Sequence, residues 1–137
     1  MAYNIVIVDD SATVRSVLKK TLHLSGVAVG VLKEANNGRE ALEILRDGWF
    51  DLVFTDINMP EMNGIELINT LANDEVMSTI PIVVVSTDGS SSRIEEVKAK
   101  GVRAYVRKPF TPECIRDVIN GVLIGDPDGD EGIIEIG

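Results

Sequence analysis

The sequence predicts an α/β fold in which the strands of a parallel sheet alternate with helices. Five short apolar runs, rich in Val and Ile, are each followed by a stretch with the 3.6-residue period of an amphipathic helix. This alternation is typical of β-α units that pack around a parallel sheet. The length of 137 residues corresponds to one domain. We expect that domain at residues 1–125, followed by an acidic, flexible tail at residues 126–137.

The strands are identified by apolar runs that end at a polar residue or a turn. Strands covered by helices on both faces are continuously apolar, so the runs that reach Val8, Asp56 and Ser86 are expected to be central strands. The second strand is the least distinct, because extra small residues and Gly30 precede Val31. In chain order, we expect the five strands at residues 4–8, 31–35, 52–56, 82–86 and 104–107.

The helices are marked by capping residues and by apolar stripes. Asp10 or Ser11 can cap the first helix, and a turn at residues 36–38 opens the second. A loop that contains Gly64 precedes the third helix, and Pro112 is suited to the first turn of the fifth. In chain order, we expect the helices at residues 12–25, around 41–45, and at 65–72, 93–100 and 111–124.

The composition excludes several classes of function. A net charge of −9 argues against sequence-independent binding of nucleic acid, which needs clustered basic residues. No apolar run is long enough to span a bilayer, and the N-terminus lacks the pattern of a secretory signal. We therefore expect a monomeric cytoplasmic protein without a membrane or nucleic-acid partner. The single cysteine, Cys114, is expected to be a buried or half-buried thiol.

Charge is unevenly distributed along the chain. Residues 126–137 contain five acidic residues and no basic one. Residues 93–108 contain six basic residues against Glu95 and Glu96. The basic residues are Arg93, Lys98, Lys100, Arg103, Arg107 and Lys108. This basic segment is either an ordinary solvated surface or a docking surface for an acidic partner, and the sequence leaves both interpretations open.

Polar residues follow four of the five predicted strands at the point where each strand ends. They are Asp9, Asp10, Asp56, Ser86, Thr87 and Lys108. The ligand site of an open α/β sheet lies at the carboxyl ends of its strands. These side chains are therefore expected to converge on one edge of the sheet, although they come from segments about a hundred positions apart in sequence.

The expected cluster suits a divalent metal ion and phosphoryl transfer. Three neighbouring carboxylates repel one another unless a cation is present, and oxygen ligands select a hard ion such as Mg²⁺ (or Mn²⁺). Asp10 and Asp56 are candidate direct ligands, with Asp9 acting through water. A carboxylate can also accept a phosphoryl group when positive charge neutralises the transferred oxygens. Asp56 is the candidate acceptor, Lys108 the second positive group, and Ser86 a donor to a phosphoryl oxygen.

Three segments resemble the signature segments of the receiver domains of bacterial two-component response regulators. They are residues 8–11 (Val-Asp-Asp-Ser), 55–64 (Thr-Asp-Ile-Asn-Met-Pro-Glu-Met-Asn-Gly) and 108–111 (Lys-Pro-Phe-Thr). The resemblance covers residues 4–124 and implies a flavodoxin-like (βα)5 fold, a doubly wound five-stranded parallel sheet in the order 2-1-3-4-5. It implies that a sensor histidine kinase phosphorylates Asp56, that Asp9 and Asp10 bind Mg²⁺, that Asn58 binds it through the backbone carbonyl, and that Lys108 contacts the phosphate.

The resemblance also assigns residues that respond to phosphorylation. The switch hydroxyl of the family usually ends the fourth strand, which favours Ser86, with Thr87 as the fallback. Tyr105 corresponds to the switch aromatic residue, expected to move into the space that Ser86 leaves. Asn58 and Asp88 would flank the water that removes the phosphoryl group, and their polarity predicts a short-lived aspartyl phosphate.

The output predicted from the resemblance is docking to a separate protein, in chemotaxis, without turnover of a substrate. The expected docking surface comprises the fourth helix, the fifth strand and the fifth helix. One alternative is a metal-dependent phosphatase of the haloacid dehalogenase type, but that chemistry needs a second aspartate where Asn58 stands. Another is a flavin-binding module, which needs a phosphate-binding loop where Asp9 and Asp10 stand. A third is an interaction module that works without phosphorylation.

Overall fold

A computed structural model of the chain describes residues 2–124 and 134–136. The strands are β1 (Tyr3–Val8), β2 (Val29–Ala35), β3 (Leu52–Thr55), β4 (Ile82–Ser86), β5 (Ala104–Arg107) and β6 (Ile134–Ile136). The helices are α1 (Ala12–Leu24), α2 (Gly38–Arg46), α3 (Gly64–Ala72), α4 (Ser91–Ala99) and α5 (Pro112–Ile119). A 3₁₀ turn (Met77–Thr79) precedes β4, and a π-helical turn (Asn120–Ile124) continues α5.

All six strands form one parallel sheet in the order β2-β1-β3-β4-β5-β6. Its first five strands confirm the predicted order 2-1-3-4-5. The strand order reverses beside β1, where Val8 lies between Ala35 of β2 and Thr55 of β3. The loops that follow β1 and β3 therefore lie side by side at the carboxyl edge of the sheet, which is where this class of fold binds its ligands.

Two apolar layers cover the two faces of the sheet. On one face, Leu18 of α1 and Ile115 of α5 pack with Ile7 and Phe54. On the other, residues of α2, α3 and α4 pack with Val6, Val53, Val84 and Tyr105 of the sheet. Alternate residues of a strand point to opposite faces, so a strand covered on both sides must be apolar throughout. This confirms the doubly wound architecture and explains the continuous apolar runs.

Local contacts explain where the elements depart from the expected boundaries. β2 begins two residues earlier than expected, since the amide side chain of Asn4 accepts a hydrogen bond from the Val31 N–H at 2.9 Å. A Cβ on Gly30 would lie 2.7 Å from that Asn4 oxygen, so the small residue is required for this contact. α4 begins at Ser91 rather than at residue 93, because the Ser90 side chain caps its first turn.

The sixth strand has no counterpart in the expected five-stranded sheet. β6 runs parallel to β5, with Ala104 opposite Ile134, Tyr105 opposite Glu135 and Val106 opposite Ile136. It belongs to the segment expected to form a flexible tail. The rest of that segment, residues 126–133 and 137, lies outside the described residues, and its flexibility remains a prediction.

Two smaller expectations bear on the surface of the molecule. Cys114 is a half-buried free thiol on α5, as expected, and burial raises its pKa. Among the helices that the structure describes, none is both long enough and apolar enough to cross a bilayer.

Candidate functional site

Three carboxylates meet at the carboxyl edge of the sheet. Asp9 and Asp10 follow β1, and Asp56 follows β3. Each offers one oxygen, and these atoms all lie within 4.8 Å of one another. Asp9 is buried, Asp56 is half-buried and Asp10 is exposed. The cluster therefore has a buried base and a side open to solvent.

Backbone hydrogen bonds hold the two deeper carboxylates in place. The Asp56 N–H donates to the carbonyl of Val8 at 3.0 Å, which joins the loops after β1 and β3. The Asp56 Oδ1 accepts from the Ile57 N–H at 2.7 Å. The Asp9 Oδ1 accepts from the Ser11 N–H at 2.9 Å. Each carboxylate thus has one oxygen fixed by the main chain, which orients the other oxygen.

Lys108 brings a positive charge between these carboxylates. Its Nζ lies 3.0 Å from the Asp9 Oδ2 and 3.2 Å from the Asp56 Oδ2. The Lys108 N–H donates to the Ser86 carbonyl at 3.0 Å, so the pairing of β4 with β5 positions the lysine. Burial acts to lower the pKa of Lys108, but the hydrogen bond to Asp9 and the charges of Asp56 and Asp9 outweigh it and raise the pKa above its usual value. The lysine therefore stays protonated.

The two candidate hydroxyls at the end of β4 differ in burial. Ser86 is the last residue of the strand and is 1% exposed, and its Oγ accepts from the Asp88 N–H at 3.2 Å. Thr87 is exposed. The structure thus places Ser86 within the sheet edge and Thr87 at the surface, which favours Ser86 as the switch hydroxyl. Its role remains a prediction.

Tyr105 is already buried in this structure, with 1% of its surface exposed. It packs on the α4 side of the sheet, and its hydroxyl donates to the backbone carbonyl of Asp88. Burial raises the pKa of this phenol, against the opposing effect of a hydrogen bond with the Ser86 side chain. Tyr105 is expected to move into the space that Ser86 leaves, but in this structure its side chain is already buried.

The two residues expected to tune dephosphorylation have different surroundings. Asn58 is exposed in the loop after β3. The Asp88 carboxylate accepts from the Ser90 N–H at 3.0 Å and lies 3.5 Å from the Arg93 Nε. Hydrogen bonds from Ser90, followed by the contact with Arg93, lower the pKa of Asp88. The Asp88 side chain is thus tied to the start of α4.

Sequence reasoning did not identify the supporting roles of two residues, Arg15 and Gly64. Arg15 of α1 is 12% exposed in its side chain and donates to the backbone carbonyl of Asp9, while also bonding Glu34 and Asn36 near the end of β2. Its position one turn after the helix cap was the available signal. Gly64 starts α3, and a Cβ there would lie 2.8 Å from the Ile57 Cα and closer still to the Asp56 carbonyl oxygen. The loop after β3, which contains Asp56 and Ile57, can therefore pack on α3 only if residue 64 has no side chain.

The electrostatics of the cluster fit a hard divalent cation. The three carboxylates carry more negative charge than the single Lys108 ammonium can balance, and the nearby donors are oxygens. Such a donor set selects Mg²⁺ or Mn²⁺ over softer metals. The carboxylate oxygens of Asp9, Asp10 and Asp56 are therefore suited to bind such an ion.

Two hollows of the surface lie away from the carboxylate cluster. They have volumes of about 530 and 480 Å³ and are lined by Trp49 and Phe50 at the opposite edge of the sheet. None of the carboxylates of the cluster lines either hollow. Because a flavin needs a deep apolar cleft, an open acidic edge is poorly suited to a flavin-binding module.

Comparisons with known proteins agree with this geometry. The family model described as response regulator receiver domain matches residues 5–120. The chemotaxis protein CheY1 of Helicobacter pylori is 37% identical over 121 residues, which cover 87% of this chain and 95% of that protein. The chemotaxis protein CheY of Pseudomonas aeruginosa is 36% identical over 119 residues, which cover 87% and 94%. The crystallised CheY4 of Vibrio cholerae superposes with a TM-score of 0.80 at 31% identity, covering 90% of this chain and 100% of that one.

Proposed function

Since this chain belongs to the response regulator receiver domain family, we propose that it is a phosphorylation switch that takes a phosphoryl group from a sensor histidine kinase onto Asp56. The observation that carries the proposal is the Lys108 ammonium, 3.0 Å from Asp9 and 3.2 Å from Asp56, beside the exposed Asp10. The similarity of the chain to chemotaxis proteins supports a function in chemotaxis. The protein would act in the cytoplasm and signal by docking to a separate target.

The proposed reaction uses the Asp56 carboxylate as the nucleophile. One of its oxygens attacks the phosphorus, an O–P bond forms, and the bond from phosphorus to the donor nitrogen breaks. Phosphoryl transfer needs positioning and positive charge more than covalent assistance. The Ile57 N–H orients the carboxylate, and Lys108 places a cation where the transferred oxygens arrive.

The carboxylate cluster would hold the metal ion. Asp10 and Asp56, with the backbone carbonyl of Asn58, are the proposed direct ligands. When bound, Mg²⁺ (or Mn²⁺) supplies the positive charge that three carboxylates lack and helps to neutralise the phosphoryl oxygens. Both oxygens of Asp9 are already engaged, one by the Ser11 N–H and one by Lys108. Asp56 is engaged in the same way, so the distinction rests on burial. Asp9 is buried, whereas Asp56 is half-buried and Asp10 is exposed, which supports the proposal that Asp9 acts on the metal through water.

The proposed readout passes through the end of β4. Ser86 would reorient its hydroxyl toward the phosphoryl group, which would break the hydrogen bond it now accepts from the Asp88 N–H. The Tyr105 hydroxyl bonds the carbonyl of the same residue. A shift of the loop after β4 would therefore change the contacts of Tyr105, a residue of β5 that packs on the α4 side of the sheet, within the proposed docking surface.

A mass measurement tests the acceptor. Incubation with Mg²⁺ and a small phosphodonor is expected to add one phosphoryl mass to the chain, and Asp56→Asn is expected to abolish it. Asp47→Asn is the control, because Asp47 ends α2 and lines the hollows of the opposite edge. Modification of the Asp56→Asn variant would contradict the proposal. Sustained turnover of small phosphate esters would instead favour the phosphatase alternative.

A further inference from the structure

The sheet edge beyond β5 is occupied by the chain's own C-terminal segment. β6 lies parallel to β5 over three residues and contacts α5. The family model ends at residue 120, so β6 lies outside the part of the chain that defines the receiver domain. An open strand edge presents unpaired N–H and C=O groups that attract another strand. β6 satisfies that edge from within the same chain.

Basic side chains flank the β5 edge at both ends. Arg103 immediately precedes the strand and Arg107 is its last residue, and both are exposed. The Arg107 guanidinium packs against the backbone of Gly89, where a Cβ would lie 2.6 Å from its Nη2. Neither arginine forms a salt bridge with another side chain of residues 2–124. Both arginines are thus exposed and without a carboxylate partner among residues 2–124, and the Arg107 guanidinium rests against Gly89 of the loop after β4.

Of the other four members of the basic segment, three have partners elsewhere, and the fourth, Lys98, is exposed on α4. Arg93 pairs with Asp88 and, at 2.7 Å, with Glu96. Lys100 donates to the Asn69 side chain on α3 at 3.0 Å. Lys108 belongs to the carboxylate cluster. The basic segment thus divides, and its available charge at the sheet edge is concentrated on the two arginines that flank β5.

The segment that occupies the edge has the complementary charge. The occupant, residues 134–136, carries one carboxylate, Glu135, in register with Tyr105. In the sequence, residues 126–133 before it add four acidic residues and no basic one. The occupant is therefore both an extended strand and acidic. These two properties describe the ligand that the edge selects.

We propose that the β5 edge is a docking site for an acidic segment of a partner protein that binds as an extended strand, and that residues 134–136 occupy this site until the partner displaces them. The inference assumes one part of the proposed function, namely that the receiver signals by docking to a separate protein. Backbone pairing supplies affinity in such strand addition, and flanking side chains supply specificity. Here the specificity comes from Arg103 and Arg107.

The tether makes displacement a measurable step. Nine residues separate Ile124 from Ile134, and a short tether gives an effective local concentration on the order of millimolar. A partner can bind the β5 edge only in molecules in which β6 is unpaired. Its apparent affinity is therefore its intrinsic affinity multiplied by the fraction of such molecules. If β6 is paired with β5 in about nine molecules of ten, a variant in which β6 cannot pair is expected to bind the partner segment about tenfold more tightly.

Peptide binding to the full-length chain tests the inference. The probe is a labelled peptide with the sequence of residues 126–137, and fluorescence anisotropy reports binding. The full-length variant Ile134→Pro/Ile136→Pro keeps every charge of the tail but cannot complete the strand ladder. It is expected to bind the peptide about tenfold more tightly than the parent chain. Adding Arg103→Glu and Arg107→Glu to this variant is expected to abolish the gain.

Two controls separate strand pairing from charge. A peptide with proline at the positions of Ile134 and Ile136 keeps the acidic residues and is expected not to bind. The tail variant Asp126→Asn/Asp128→Asn/Asp130→Asn/Glu131→Gln keeps the isoleucines and is expected to be displaced more easily than the parent tail. Equal binding of the two peptides, or equal affinity of the parent and the proline variant, would overturn the inference.

A second measurement uses the unmodified chain and a parallel phosphorylation assay. As unlabelled peptide is added, the amide NMR signals of residues 134–136 are expected to move to the positions they have in the free peptide, and unmoved signals would overturn the inference. Asp56 phosphorylation is expected to persist in every tail variant. Absent peptide binding with intact phosphorylation removes only the docking inference, whereas peptide binding without phosphorylation removes only the proposed function.

Discussion

Replacing Gly64 by alanine tests how closely the acceptor loop packs on α3. The Gly64 N–H donates to the Ile57 carbonyl at 2.8 Å, and an added Cβ would lie 2.8 Å from the Ile57 Cα. Carbon atoms in contact prefer a separation of about 3.5 Å or more, so the Ile57 backbone must move by at least roughly 0.7 Å. The Asp56 carbonyl oxygen lies closer still to the added Cβ and must move further. The neighbouring atoms are main chain rather than the end of a flexible side chain. Side-chain rotation therefore cannot relieve the contact.

The cost can be worked from these contacts. Overpacking of this kind costs about 1–3 kcal/mol, and the upper end applies because backbone must shift. Alanine regains up to about 1 kcal/mol of helix propensity over glycine. We expect a net destabilisation of about 2 kcal/mol for Gly64→Ala. Because the displaced peptide carries Asp56, we also expect phosphorylation by a small donor to slow at least about tenfold.

Urea unfolding and a phosphorylation time course measure the two effects. Gly89→Ala is the matched control, because it adds the same methyl group at the same edge of the sheet. There the new Cβ meets the Arg107 guanidinium, which can move away. We expect its free energy of unfolding to stay within about 1 kcal/mol of the parent value. A Gly64→Ala chain as stable and as rapidly phosphorylated as the control would refute the packing argument.

Three further predictions concern the metal, the switch and the lifetime of the signal. Mg²⁺ at a hundred times its dissociation constant is expected to stabilise the chain by about 2.7 kcal/mol. An equal rise in melting temperature with Mg²⁺ in the parent chain and in Asp10→Asn would contradict this. Ser86→Ala is expected to accept phosphate but lose phosphate-dependent target binding, measured with the target captured by the parent chain; loss in Thr87→Ala instead would reassign the hydroxyl. The aspartyl phosphate is expected to decay faster in the parent than in Asn58→Met/Asp88→Leu, followed by mass spectrometry in excess Mg²⁺, and equal lifetimes would remove both residues from dephosphorylation.

The ends of β1 and β3 were predictable to within one residue, because each of these apolar runs stops at an aspartate. Val8 is followed by Asp9 and Thr55 by Asp56, and the structure ends β1 and β3 at those positions. The start of β2 was not predictable in the same way. It depends on Asn4, a residue far away in sequence, reaching the backbone of Val31.

The supporting residues of the cluster were hidden from sequence reasoning for a similar reason. Arg15 lies one turn after the helix cap, but the sequence does not show that its guanidinium reaches back to the carbonyl of Asp9. Gly64 signals a turn or a close approach, but the sequence does not show which backbone lies beside it. Nor can a three-residue alternation such as Ile-Glu-Ile at residues 134–136 distinguish a strand from an irregular tail, since its pairing depends on the edge of β5.

The ion pair between Lys108 and Asp9 spans 99 positions of the chain. Contacts this distant in sequence require the closure of a long loop, which makes them slow to form during folding. A chain in which β5 has not yet paired with β4 lacks the ammonium, and its carboxylates face one another without it. On the proposed function, Asp56 would therefore accept a phosphoryl group only once the fifth strand is in place, and newly synthesised or partly unfolded molecules would not carry the signal.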